Sequence, residues 1–374
     1  MKETKKILVD FRDLPDFSDE ELEITSLERS ETIPSSWYTD SRFLELEKQS
    51  VFATSWQYVG HECRIQNPGD YIIASIVGNP VVVVRGNDGA LRAFFNVCRH
   101  RGGPLALEDG HGMVLQCKYH GWTYTLEGHL RGVPKFDRTE LFDKKDYGLV
   151  PLLLESWEGL LFVKRENDGI PLGQVMHGIR ERITPLSLST LKFFRRVDYT
   201  IHCNWKAYVD NYLEGYHVPL VHPGLNKIID YQQYRTEVSD HYSLQHSPIA
   251  DSDHSYGIQR GGRAFYYQVF PNFMMNILPG RLQTNLVLPI THRDTQVVFE
   301  YYYEDVSDRA LPALEEDTRY SDSIQQEDIE ICEHVQRGLE SEAYDKGRFS
   351  PEMESAVYHF QTLLKKRHRA ALGR

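Results

Sequence analysis

The sequence predicts an α+β protein in two parts, a small antiparallel β domain followed by a larger domain of mixed helix and strand. Three observations carry this. The chain has 374 residues, more than one core usually organises. Between Tyr58 and about Val163, short β-rich runs (Tyr71–Val77, Val81–Arg85, Leu91–Val97) are separated by Gly, Asn, Asp and Pro. After a cluster of Glu, Asn, Asp, Gly and Pro at Arg165–Gly173, helical and strand patterns alternate.

The expected division is therefore residues 1–50, an acidic segment packing on the larger domain, then 51–164 and 165–374. The first segment carries a helix-like stretch at Arg42–Phe52. In the β domain, Asn87-Asp88-Gly89 reads as a hairpin turn. In the larger domain, Asn204–Tyr216, Tyr320–Leu339 and Met353–Lys366 read as helices. Leu286–Pro289 and Thr295–Tyr303 read as strands.

Composition narrows the function classes. Hydrophobic residues at 41% and charged residues at 26% are ordinary for a soluble globular protein. A net charge of −12 argues against nucleic acid, whose phosphates need a basic face. No apolar run reaches the roughly 18 residues of a membrane helix. The start, Met1–Lys6, is charged and leads into no apolar segment, so no secretory signal is expected. Five cysteines (Cys63, Cys98, Cys117, Cys203, Cys332) are odd in number and sparse. They predict a reducing, cytoplasmic setting rather than a disulfide framework.

Two constellations carry chemistry. Cys98-Arg99-His100-Arg101-Gly102 and Cys117-Lys118-Tyr119-His120-Gly121-Trp122 each offer a thiolate and an imidazole. A Rieske [2Fe–2S] cluster takes two Cys on one iron and two His on the other. Neutral imidazoles leave the cluster less negative and easier to reduce. Gly102 and Gly121 would let the backbone pass close to it, and Trp122 would shield it. The alternative is a Cys2His2 zinc site, which usually pairs Cys with Cys and His with His.

These loops resemble those of the Rieske non-heme iron oxygenases, Cys-x-His-Arg-Gly and Cys-x-Tyr-His-Gly-Trp. Arg99 and Lys118 stand where the family often has Pro. Neither loop carries the additional cysteine of the respiratory Rieske proteins.

The second constellation lies in 203–224. Asp210, Glu214 and His217 fall at i, i+4 and i+7, one face of a helix. Pro219 disfavours helical geometry at Val218, so the chain could swing His222 round to His217. Two His and a carboxylate form the facial triad of Fe(II) oxygenases. The carboxylate is expected on the late helix, where Ile324, Asp328, Ile331, Cys332, Val335 and Leu339 form one stripe. Asp328 at its middle is costly there unless bound to metal or paired, and Glu327 sits at the margin. A buried ion pair, or a helix rotated from this phase, is the alternative.

The resemblance spans the chain from about Trp37 and leans toward the choline monooxygenase, glycine betaine and carnitine oxygenase branch. Its residues are Asp-Asn-Tyr-Leu-Glu-Gly-Tyr-His-Val-Pro at 210–219, Thr-Asn-Leu-Val-Leu-Pro at 284–289, Gln-Arg-Gly-Leu-Glu-Ser at 336–341 and Ala-Tyr-Asp-Lys-Gly-Arg at 343–348. It implies a helix-grip second domain with a curved antiparallel sheet, and the third iron ligand at Asp328 in Glu-Asp-Ile. It implies that Glu214 bridges the mononuclear site to the Rieske His120 of a neighbouring subunit in a homotrimer. Asp210 competes for that role or orients a ligand histidine; a solvated helix acid is the plain alternative for Glu214.

The implied activity is that of a terminal oxygenase using O2 and electrons from NAD(P)H, delivered by a separate flavin and iron–sulfur reductase. It would hydroxylate or N-demethylate a quaternary or methylated amine. Gly110-His111-Gly112 is no nucleotide fingerprint. Arg99, Arg101 and Lys118 are a candidate dock for the reductase, or serve only hydrogen bonding around the cluster. Tyr212, Tyr216, Phe265, Tyr266, Tyr267, Phe270 and Phe273 are candidates for a cation-binding cage, or are simply core. The competing functions are aromatic-acid hydroxylation and a Rieske electron carrier without catalytic iron.

Overall fold

Val81–Val84 are four successive β-branched residues with no exposure, the mark of a strand buried on both faces. They lie on an inner strand of a seven-stranded sheet in the computed structural model, which describes residues 15, 17–165, 169–227, 230–249 and 262–373. The charged start and 166–168 of the expected boundary lie outside the described residues.

The chain divides into two units, Trp56–Arg180 with Ser187–Phe193, and Met1–Ser55 with Glu181–Leu186 and Phe194–Arg374. The first contains β1 (Gln57–His61), β2 (Asp70–Ile76), β3 (Asn79–Arg85), β4 (Leu91–Phe95) and β5 (Gly110–His111). It continues through β6 (Leu115–Gln116), β7 (Thr123–Tyr124), β8 (Leu130–Gly132), β9 (Pro151–Trp157) and β10 (Leu160–Lys164). The large sheet runs β1-β10-β9-β4-β3-β2-β5, and β6-β7-β8 form a small one. This unit reaches past Lys164 because the Leu172 N–H donates to Glu155 on β9 at 2.9 Å.

The second unit is a sheet with helices. Its order is β11 (Lys192–Ile201), β17 (Thr295–Tyr303), β16 (Arg281–Pro289), β15 (Phe273–Leu278), β14 (Arg263–Val269), β13 (Tyr242–Pro248), β12 (Arg235–Val238). Its helices include α1 (Ser41–Glu47), α2 (Trp205–Tyr212), α3 (Val218–Val221), α4 (Leu311–Leu339) and α5 (Ser355–Leu372). The expected α+β architecture, an antiparallel β domain and a sheet-and-helix domain, is the one observed.

Differences from expectation are local. The helix begun at Asn204, whose side chain caps Lys206 N–H, ends at Tyr212 rather than Tyr216. The break therefore precedes His217, and Pro219 lies inside the first turn of the new helix α3, where proline is tolerated. Asp210, Glu214 and His217 consequently share no helix face. Helix α4 begins at Leu311, well before Tyr320, with Pro312 in its first turn. Its buried stripe includes Asp317, Ser321, Gln325, Cys332 and Gln336, while Val335 is 46% exposed. The inward face mixes these polar residues with Leu314 and Leu339.

Candidate metal centres

The two cysteine loops follow β4 and β6, and both are closed by the same backbone pattern. Gly102 N–H donates to Cys98 C=O and Gly121 N–H to Cys117 C=O, each at 3.1 Å. Gly102 and Gly121 have φ of +74° and +73°, which favours glycine. The close approach anticipated at these glycines occurs instead at Gly103, where a Cβ would sit 3.0 Å from Cys117 Sγ.

Cys98 and Cys117 are buried in a core with Trp122 and Tyr124. Burial pushes the Cys98 thiol up. It also pushes the Tyr124 hydroxyl up, keeping it protonated 3.2 Å from Cys98 Sγ. His100 is half-buried and His120 exposed, with ring centroids 4.8 Å apart. Trp122 stacks on His100 at 4.8 Å and 12°. Thiols inside and imidazoles outside suit a cluster with two Cys on one iron and two His on the other. Arg99, Arg101 and Lys118 are all exposed.

In the second unit, the donor atoms of His217, His222 and Asp328 all lie within 4.8 Å of one another. His222 Nε2 is 3.0 Å and His217 Nε2 3.8 Å from Asp328 Oδ1. The other ring nitrogens are taken by carboxylates. His217 Nδ1 is 2.7 Å from Glu214 Oε1, and His222 Nδ1 is 2.7 Å from Glu327 Oε2. Asn211 Nδ2 donates to Asp328 Oδ1 at 2.6 Å. Burial alone would lower the His222 imidazole, but Asp328 and Glu327 outweigh it and raise it. Two imidazoles and a carboxylate, with both imidazoles held from behind, match what a non-heme Fe(II) centre takes.

Glu327 and Asn211 went unassigned in the sequence. Glu327 stands beside Asp328 in the quoted Glu-Asp-Ile, but its helix phase put it at the margin of the stripe. Asp210 does not reach a histidine. Its Oδ2 accepts from Tyr38 Oη at 2.5 Å and Gln361 Nε2 at 3.2 Å.

The three donors open onto a cleft of ≈ 800 Å³ counted to its mouth. Tyr208, Tyr212, Tyr234, Tyr266 and Phe299 wall it. Of the expected aromatic cage only Tyr212 and Tyr266 take part. Phe265 and Tyr267 flank Tyr266 on β14 and so face the other side. Phe270 and Phe273 are buried elsewhere and Tyr216 is 58% exposed.

Residues 55–149 match the Rieske [2Fe-2S] domain model, and residues 188–369 the ring hydroxylating alpha subunit (catalytic domain) model. The chain is 37% identical to the chloroplastic choline monooxygenase of Arabidopsis thaliana over 358 residues, 90% of this chain and 83% of that one. It is 31% identical to the carnitine monooxygenase oxygenase subunit of Escherichia coli K12 over 366 residues, 94% and 97% of the two chains. The solved quaternary ammonium Rieske monooxygenase CntA with L-carnitine superposes with a TM-score of 0.81 at 29% identity, covering 92% and 97%. Naphthalene 1,2-dioxygenase, at 21% identity and a TM-score of 0.76, shares the fold. The chain belongs to the Rieske oxygenases of the ring-hydroxylating alpha-subunit family, enzymes that join a [2Fe–2S] domain to a mononuclear-iron catalytic domain.

Proposed function

We propose that this terminal oxygenase hydroxylates or N-demethylates a small quaternary or methylated amine. The observation that carries the reading is the placement of His217, His222 and Asp328 on a cleft walled by tyrosine and phenylalanine rings. Ring faces attract a cation that cannot donate hydrogen bonds. Relatives named for choline and carnitine, and CntA solved with L-carnitine and with gamma-butyrobetaine, support the substrate class.

In this reading Cys98 and Cys117 hold one iron of the cluster, and His100 and His120 the other. His217, His222 and Asp328 hold the mononuclear Fe(II). When bound there, the iron would supply the activation of O2. Glu214 and Glu327 accept from the Nδ1–H groups and direct both Nε2 lone pairs inward. Asn211 fixes Asp328. The aromatic walls hold the cation and exclude water.

Glu214 also connects this site to His120 of the partner subunit in a homotrimer. Inter-subunit electron transfer is described for the related quaternary ammonium Rieske monooxygenase. Electrons come from NAD(P)H through a separate reductase. Here Gly110–His111 is a short strand paired with β2 and is followed by no helix, unlike a nucleotide-binding turn. None of the five cysteines is joined in a disulfide, which accords with a reducing cytoplasm, and no helix among the described residues is long and apolar enough to cross a membrane.

The test is reductase-coupled, substrate-dependent O2 uptake with choline, glycine betaine, carnitine, stachydrine and simple aromatic acids, on protein holding about three irons per chain. Uptake with a cationic amine is expected. Uptake with aromatic acids alone would overturn the substrate class, and about two irons per chain would mark an electron carrier.

A further inference from the structure

Strand β16 sends Arg281, Gln283 and Asn285, each two residues on, to the cleft face of its sheet. All three are buried, at 4%, 2% and 2% exposure, and they are bonded in series. Arg281 Nη1 donates to Asp317 Oδ1 at 2.6 Å, and Nη2 donates to Gln283 Oε1 at 2.7 Å. Ser321 Oγ donates to the same Oε1 at 2.9 Å. Gln283 Nε2 then donates to Asn285 Oδ1 at 2.8 Å.

A guanidinium can only donate. It fixes Oε1 as the accepting end of Gln283 and Nε2 as the donating end. That in turn fixes Oδ1 as the accepting end of Asn285. The Asn285 Nδ2 amide remains, carrying two N–H donors on the cleft wall. Among the described residues neither is taken up by a protein group.

We infer that Asn285 Nδ2 is a specificity-determining donor that receives an uncharged oxygen of the cationic substrate, as in an amino alcohol of the choline type. The inference rests on the quaternary-amine reading above and deepens it. The uncharged oxygen follows from the Arg281–Asp317 pair. With that guanidinium's charge met by a carboxylate at 2.6 Å, the wall presents an amide dipole. A hydroxyl or ether oxygen matches that dipole. A substrate carboxylate would give up its hydration shell for one neutral donor.

The experiment measures binding to the metal-loaded holoenzyme by calorimetry, alongside reductase-coupled O2 uptake. The ligands are choline, its methyl ether, oxygen-free ethyltrimethylammonium and glycine betaine. Choline and its ether are expected to bind about ten-fold or more tightly than ethyltrimethylammonium, and glycine betaine more weakly than choline. In Asn285→Asp the wall accepts instead of donating. The ether, which can only accept, loses about ten-fold, while choline turns its hydroxyl round to donate and keeps most of its affinity.

Equal binding of choline and ethyltrimethylammonium by the wild-type protein would overturn the inference, whether or not the variant folds. So would an Asn285→Asp protein that weakens choline and its ether alike, or tighter binding of glycine betaine than of choline. Failure of all four ligands to bind or drive O2 uptake would instead overturn the substrate reading itself.

Discussion

Glu214 holds His217 from two directions: its Oε1 lies 2.7 Å from His217 Nδ1, and its Oε2 accepts the His217 backbone N–H at 3.0 Å. The same Oε2 also takes the Tyr216 N–H. One carboxylate thus fixes both ring and backbone of a candidate ligand where helix α2 has already ended.

Glu214→Gln keeps the side chain's shape but replaces one carboxylate oxygen with an amide donor. His217, His222 and Asp328 remain. We expect iron content and the Rieske EPR signal to persist while substrate-dependent O2 uptake falls by about 10–100-fold. Unchanged turnover would contradict any role for Glu214 beyond a solvated acid.

Glu327→Ala removes the group behind His222 Nδ1. The imidazole loses its orientation and some basicity. The expected result is mononuclear iron affinity weaker by about 10–100-fold, with the visible spectrum of the [2Fe–2S] cluster retained. Metal titration of the iron-stripped site, followed beside that spectrum, checks it. Full affinity would show that Glu327 is a bystander.

Gly102→Ala places a Cβ in a left-handed backbone at φ +74° but meets nothing within 4 Å. It should cost about 1–2 kcal/mol of stability and leave the cluster in place. Gly103→Ala drives its Cβ to 2.9 Å from Tyr119 Cβ and 3.0 Å from Cys117 Sγ, so it should lower cluster content as well. Urea unfolding and iron–sulfide analysis of the two variants separate strain from displacement. Equal cluster content in both would refute the distinction.

Burial raises the Asp210 carboxyl to about 7, against the opposing pull of Tyr38, Gln361 and Lys206. Its Oδ1 is buried without a hydrogen-bond partner, which favours the protonated form. An unfolded Asp titrates near ~3.9, so between those values the folded chain holds the extra proton. This contribution to stability is whole below about pH 4 and is lost as pH rises through about 7. Asp210→Asn cannot titrate. Its stability relative to wild type should therefore rise between pH 5 and 7, by up to about 1.4 kcal/mol per pH unit. A difference in urea midpoint that stays constant over that range would rule this out.

Sequence and structure divide the site unevenly. Cys98, His100, Cys117 and His120 were legible as a set because each loop is a contiguous run whose turn is fixed by local hydrogen bonds and a left-handed glycine. The short β-rich runs gave β2, β3 and β4 to within a few residues, since β propensity and turn residues are local properties. Helix phase predicted less. It placed Asp328 on the inward face of α4, but it also counted Val335 as buried and put Glu327 at the margin. Much of the true inward face is polar, because Ser321, Gln325 and Asp328 line the cleft while Asp317 and Gln336 bond to Arg281 and to the Asn204 N–H.

The sequence by itself determined the α+β architecture, the four donors of the cysteine loops and the His217–His222 pair, because these are written in short-range spacing, while Asp328 joins that pair only through packing. Only the tertiary structure decided which carboxylates stand behind the histidines, which aromatic rings line the cleft, and which end of the Asn285 amide faces it. Those relations join α2, α4, β14 and β16, which are distant along the chain. Their meeting is set by packing, and no periodicity along one segment encodes which side chain of another it will face.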